Sequence, residues 1–207
     1  MLKSKLTKLT KRHNILAFPQ LNLNYWGINK VATSTICNHF LIQTGVTIDT
    51  QHKSGQVGKR MTSTLHIDRE TAYTNDLINF AIVRSPYARF ESCYRHFKYP
   101  KDDVQSFGSR KAKFNPVWSP DDFLDHIEKV FAKGKIGNKH YSKQSWFIPE
   151  PERLDHVIKL ENLVNNWPFD FSPPNFVSNP TTRVWNIKYN KEKLHHLYAE
   201  DFNAFGY

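Results

Sequence analysis

The run Leu77–Arg84, LINFAIVR, followed directly by SPYARFESCYRHF, constrains the fold more than any other stretch of the chain. Apart from Asn79 it offers almost no polar face. A strand here must be buried on both sides, as the strands of parallel sheets are. Ser85 and Pro86 then read as the N-cap and the first position of a helix. A second unit of the same kind lies upstream. LNLNYWGI (Leu21–Ile28) reads as a strand entering a core, and TSTICNHFLIQTG reads as a helix with Ile36, Phe40 and Leu41 on one face and Gly45 at its stop. Repeated strand–turn–helix units predict one α/β domain with a central, mainly parallel β-sheet flanked by helices.

The rest of the chain fits that frame. SPDDFLDHIEKVFAKG repeats the Ser-Pro start and spaces Phe123, Ile127 and Phe131 by four, which predicts an amphipathic helix. LDHVIKLENL (Leu154–Leu163) is a third strand candidate, and NKEKLHHLYAEDFNAFGY closes the chain as a helix with Leu194, Leu197, Tyr198, Phe202 and Phe205 on one side. Thr47–Asn75 is mixed and rich in Thr, Ser and Gly, and reads as irregular with short strands. Residues 1–18, with Lys3, Lys5, Lys8, Lys11 and Arg12, read as a basic arm or short helix preceding a domain over 19–207. Residues 98–118 are polar, aperiodic and basic (Arg110, Lys111, Lys113), a length that in compact domains is often functional.

The net charge of +10, from 29 Lys and Arg against 19 Asp and Glu, favours an anionic partner. Cys37 and Cys93 are too few for a disulfide framework and read as reduced core thiols. No run of apolar residues is long enough to span a membrane, and the basic start has no apolar core of the kind a secretory signal needs. Asn179-Pro180-Thr181 is blocked by its proline as a glycosylation acceptor. These features together predict a cytoplasmic protein. No histidines lie three or four apart and the two cysteines are far apart, so no metal site is expected. GQVGKR (Gly55–Arg60) has the wrong glycine spacing for a P-loop and an arginine where the hydroxyl should be. Tyr94, Phe97 and Trp146 read as core.

The two strand–turn–helix units carry the candidate chemistry. The first places Lys30, Thr33, Ser34 and Thr35 on its turn; the second places Arg84 at the end of its strand and Ser92 within its helix. A helix N-terminus presents unpaired N–H groups and a positive dipole end, and ligands of open parallel sheets bind beyond the carboxyl ends of the strands. Two such turns on neighbouring strands suit two anionic groups of one ligand.

INKVATSTI resembles the 5′-phosphosulfate loop of the sulfotransferases, and FAIVRSPYARFESCYRHF resembles their 3′-phosphate element, with arginine, proline, a second arginine, serine and tyrosine at these spacings. HVIKLENL resembles a later segment of that family. The ending YAEDFNAFGY is similar to the C-terminal helix of its carbohydrate (Golgi-type) branch, and NKHYSKQSWFI echoes a His-and-Gln motif of that branch. The resemblance implies a P-loop-like nucleotide-binding fold. Lys30, Thr33, Ser34 and Thr35 would hold the 5′-phosphosulfate of 3′-phosphoadenosine 5′-phosphosulfate, and Arg84 and Ser92 its 3′-phosphate. The product would be adenosine 3′,5′-bisphosphate, and no metal is implied. The acceptor implied is a hydroxyl, with a carbohydrate favoured and a small molecule open; an acidic acceptor would suit the basic residues 98–118. The branch often carries an N-terminal anchor, so the expectation here is a compact form without one. Lys30 would stabilise the leaving phosphate and a histidine would take the acceptor proton. His66, lying between the two cofactor loops, is the expected base, and His140 is its competitor. The rival readings are a basic nucleic-acid-binding module, supported by charge and aromatic content, and an anion-binding protein of the same fold without turnover.

Overall fold

One mixed five-stranded sheet organises the chain. The computed structural model describes residues 14–47, 65–99, 114–135, 137–175 and 187–207. Its strands are β1 (Asn14–Phe18), β2 (Leu23–Gly27), β3 (His66–Ile67), β4 (Ile78–Val83) and β5 (His156–Lys159), in the spatial order β3-β1-β2-β4-β5. The helices in chain order are α1 (Thr33–Gln43), α2 (Arg69–Thr74), α3 (Pro86–Lys98), α4 (Pro120–Ala132), α5 (Lys191–Leu197) and α6 (Ala199–Phe205).

The α/β class stands, but the sheet is parallel only at β2, β4 and β5; β1 runs antiparallel to both β2 and β3. The connection explains this. Residues 19–22 are too few for a crossover, and they turn back through Pro19 and a left-handed Asn22 (φ 53°) into a hairpin. Among the described residues the sheet begins at Asn14, so residues 14–18, expected in the basic arm, form its strand β1. The basic positions Lys3 to Arg12, residues Gly55–Arg60 and the cluster Arg110, Lys111 and Lys113 lie outside the described residues.

Alternation along the strands decides what covers each face. Phe18, Tyr25 and Phe80 share one face and are fully buried or nearly so. Phe40 of α1 packs on all three, with ring centroids 5.3, 5.7 and 6.1 Å away, and Trp167, Phe169 and Phe171 complete the aromatic layer. The opposite face carries Asn24, Trp26 and Asn79. Asn24 and Asn79 donate to the Ala72 carbonyl of α2 at 3.3 and 3.0 Å, and Trp26 donates to Asn79 at 2.9 Å, so the buried amides fasten α2 to the sheet. A second core gathers α3, α4, α5 and α6 around Phe90, Phe97, Phe123, Leu194 and Phe202. Phe123 and Ile127 are buried as the spacing of four predicts, and Phe131 is partly buried. The C-terminal helix divides at Tyr198, whose hydroxyl donates to the Tyr141 carbonyl at 2.5 Å. Cys37 and Cys93 are buried free thiols, and burial pushes each up to about 12. Among the described residues no helix is long and apolar enough to cross a membrane.

Candidate active site

β2 and β4 are hydrogen-bonded parallel neighbours, in register from Leu23↔Ile78 to Trp26↔Ala81. Their following turns therefore emerge side by side at one edge of the sheet, where the alternation of strands and helices predicts a ligand. In the first turn Lys30 and Ala32 are both left-handed (φ 72° and 60°), with buried Val31 between them. Left-handed residues in a turn are a feature of the backbone nests that aim N–H groups at an anion. α1 follows with no side-chain cap and no acidic residue in its first turn. Its positive end is thus left for a ligand or water. α3 likewise has no side-chain cap and no acid in its first turn. Ser85 occupies the cap position without capping; its N–H donates to Glu161 at 3.0 Å.

The hydroxyls of the first turn divide their tasks. Thr33 donates to the Ile28 carbonyl and closes its own turn. Thr35 is buried, so what it offers to the open face is backbone. Ser34 is the exposed hydroxyl. In the second turn Arg84 is half-buried and donates through Nη1 to the Lys30 carbonyl at 3.3 Å, which joins the two turns directly. Burial works against its charge, Glu161 supports it, Arg95 opposes it and Glu91 supports it again. Ser92 is half-buried on α3, between Glu91, which pairs with Arg95 at 3.1 Å, and buried Cys93.

The structure separates the two candidate histidines. His66 lies exposed on β3 at the sheet margin, opposite Leu16, which itself pairs with Tyr25 of β2. Two strand spacings put it about 10 Å across the sheet from β2. The Lys30 turn follows β2, and Lys139, beside His140, is among the charges acting on His66. His140 is tied to that turn by Arg89. That side chain, 2% exposed, donates from Nε to Asn29 O at 3.0 Å, from Nη1 to Ser142 O at 2.8 Å and from Nη2 to Lys139 O at 3.4 Å. One rigid fork thus ties residues 139–142 to the residue before Lys30. His140 stacks on His96 of α3, with centroids 5.0 Å apart and planes at 19°, and its Nδ1 lies 2.7 Å from Asn138 Oδ1.

Burial first, and the charges around these rings second, lower their proton affinity. Burial pushes His140 down to about 2, helped by His96, Lys30, Lys139 and Arg89. Burial and Lys30 push His96 down to about 4. His66 is lowered by burial and by Lys139. Among the described residues no three metal-binding side chains are gathered together. Tyr94 and Phe97 are core residues, and Trp146 packs against Phe131.

Sequence reasoning passed over four residues that build this site. Arg89 had a signal, since it is the second arginine of the segment that resembles the 3′-phosphate element. His96 also had one: it falls four residues after Ser92, on the same helix face. Gln144, 0% exposed, had one too, as the glutamine of the His-and-Gln motif that NKHYSKQSWFI echoes. The task of Glu161 had none, because its partner Ser85 is distant in sequence.

The chain belongs to the sulfotransferase family, whose model, described as Sulfotransferase family, matches residues 13–170. Its members are enzymes that transfer sulfate. No curated protein and no solved structure matches the chain.

Proposed function

We propose that this protein moves a sulfuryl group from 3′-phosphoadenosine 5′-phosphosulfate to an acceptor hydroxyl. The observation that carries the reading is the pair of uncapped, acid-free turns on adjacent parallel strands, joined by the contact between Arg84 and the Lys30 carbonyl. The residues fit a ligand with two separated anionic groups. The N–H groups of residues 31–35, the Lys30 ammonium and the Ser34 hydroxyl would hold the 5′ end, and Arg84 with Ser92 would hold the 3′-phosphate. The donor supplies an activated sulfuryl group; the protein supplies position and charge. Lys30 stabilises negative charge on the leaving oxygen. His140 takes the acceptor proton. It is neutral throughout the working pH range; burial is the main cause of its lowered basicity, and the negative charge of a bound donor would offset the smaller share that Lys30, Lys139 and Arg89 contribute. A carbohydrate hydroxyl is the favoured acceptor, on the strength of the C-terminal sequence YAEDFNAFGY and its resemblance to the carbohydrate branch.

Calorimetry with adenosine 3′,5′-bisphosphate and adenosine 5′-monophosphate tests the donor. A charge-assisted contact is worth about 1.5–3 kcal/mol, so the bisphosphate should bind roughly 10–150-fold more tightly, and Arg84→Ala should erase most of that preference. Lys30→Ala should lower kcat by about 10²–10³ in an acceptor screen with radiolabelled donor. Equal affinity for the two nucleotides overturns the reading.

A further inference from the structure

We propose that the C-terminal segment Tyr198–Tyr207 is part of the nucleotide site. In this proposal Asp201, acting through Gln144, and Tyr207, acting through Glu161, are positioning residues that set the Arg84–Ser85 turn for the 3′-phosphate. The inference rests on the donor reading above. It concerns residues in α6 and beyond, outside the span that the family model matches.

The need for a relay arises where β4 ends. The β4–β5 ladder stops at Val83↔Lys159, so Arg84 has no strand partner for its backbone. Gln144 supplies one. Its Oε1 accepts from Arg84 N at 3.0 Å and its Nε2 donates to Arg84 O at 2.8 Å. The amide can sit only this way round, because an N–H needs an acceptor and a carbonyl needs a donor. Gln144 is in turn fixed by Asp201, which is fully buried. Its carboxylate accepts from Gln144 N at 2.8 Å and from Ser145 N and Oγ, each at 2.9 Å. A carboxylate withdrawn from water and holding three donors is a rigid anchor.

The second arm holds the next residue. Tyr207 donates its hydroxyl to Glu161 Oε2 at 2.9 Å, and Glu161 Oε1 accepts from Ser85 N at 3.0 Å. Lys159 secures the arm: its Nζ donates to Gly206 O at 2.6 Å and lies 4.5 Å from the centre of the Tyr207 ring. Glu161 is also the carboxylate with the largest effect on the Arg84 charge. Held by Tyr207 and Ser85, it orients the turn. Released, it competes with a phosphate for the guanidinium.

The test uses the full chain. Affinities for adenosine 3′,5′-bisphosphate and adenosine 5′-monophosphate are measured on wild type, Gln144→Glu, Asp201→Asn and Tyr207→Phe, with circular dichroism as a check on folding. Gln144→Glu and Asp201→Asn should reduce the bisphosphate preference by about tenfold, the scale on which outer partners of a ligand-holding group act. Tyr207→Phe keeps the ring over Lys159 and should reduce it several-fold. Affinity for the monophosphate should stay near wild type in all three, a selectivity that general loss of stability does not produce. In an Arg84→Ala background, Gln144→Glu should cost nothing further. If Asp201→Asn does not fold, Tyr207→Phe and the Arg84 cycle decide. A wild-type preference that survives in every folded variant, or additive losses in the cycle, overturns this proposal alone. A wild type with no preference overturns the donor reading and this proposal together.

Discussion

At Ala32 a residue with a Cβ sits in the left-handed region at φ 60°, ψ 22°, directly before α1. That conformation costs an L-residue roughly 1–2 kcal/mol, and glycine avoids the clash but loses more chain entropy on folding. Ala32→Gly should therefore raise stability by about 0.5–1 kcal/mol in urea titrations, with nucleotide affinity retained. A loss of stability would mean that the Ala32 side chain makes a contact worth more than the strain. The histidines give the second prediction at this scale. His140 lies on the segment that Arg89 ties to the Lys30 turn and stacks on His96, whereas His66 lies at the sheet margin. His140→Ala should lower kcat by about 10²–10⁴ with nucleotide affinity intact, and His66→Ala should change it little. The reverse pattern in steady-state kinetics would restore His66 as the base.

Among the elements, α1 matters most, since its N-terminus is half of the candidate site. Its sequence explains the helix, but one side chain fixes where it lies. Phe40 is fully buried among Phe18, Tyr25, Phe80 and the ring cluster of Trp167, Phe169 and Phe171. Phe40→Ala should cost about 3–5 kcal/mol through lost burial and the cavity left behind, measured by chemical denaturation. It should also weaken bisphosphate binding, because the turn at Lys30 moves with the helix. What was legible among the elements follows from local chemistry. The apolar run before Ser85-Pro86 forms β4 and α3 within a residue or so of its expected ends, and the spacing of Phe123 and Ile127 forms α4. The α2 helix was missed although its Asp68 accepts from Thr71 N at 2.8 Å, a cap signal visible in DRET. β1 was missed because five residues after a basic stretch carry too little pattern; its pairing with β2 makes it a strand.

For the whole molecule, the buried histidines make stability depend on pH. His96 and His140 are pushed down to about 4 and about 2, and His39 and His66 are also lowered. Unfolded, each takes up a proton near pH 6.5; folded, each resists it. The unfolded state therefore binds more protons below pH 6.5, and stability falls as pH drops from there towards 4. The slope should approach about 1.4 kcal/mol per pH unit for each of His96 and His140. Urea titrations at pH 7, 6 and 5 on wild type and on the His96→Gln, His140→Gln double variant check this; equal slopes would refute it. The sequence by itself determined what local pattern can determine. It set the strand–turn–helix units, the apolar faces of the helices and the basic, hydroxyl-bearing turns at Lys30 and Arg84, because capping, periodicity and burial act over a few residues. Only the tertiary structure decided that residues 139–142 are tied to the Lys30 turn, and how Arg84 is held. Those depend on Arg89 reaching both Asn29 and Ser142, and on Gln144 meeting both Arg84 and Asp201. Such contacts join residues far apart in the chain, so they exist only once the sheet and the second core have formed.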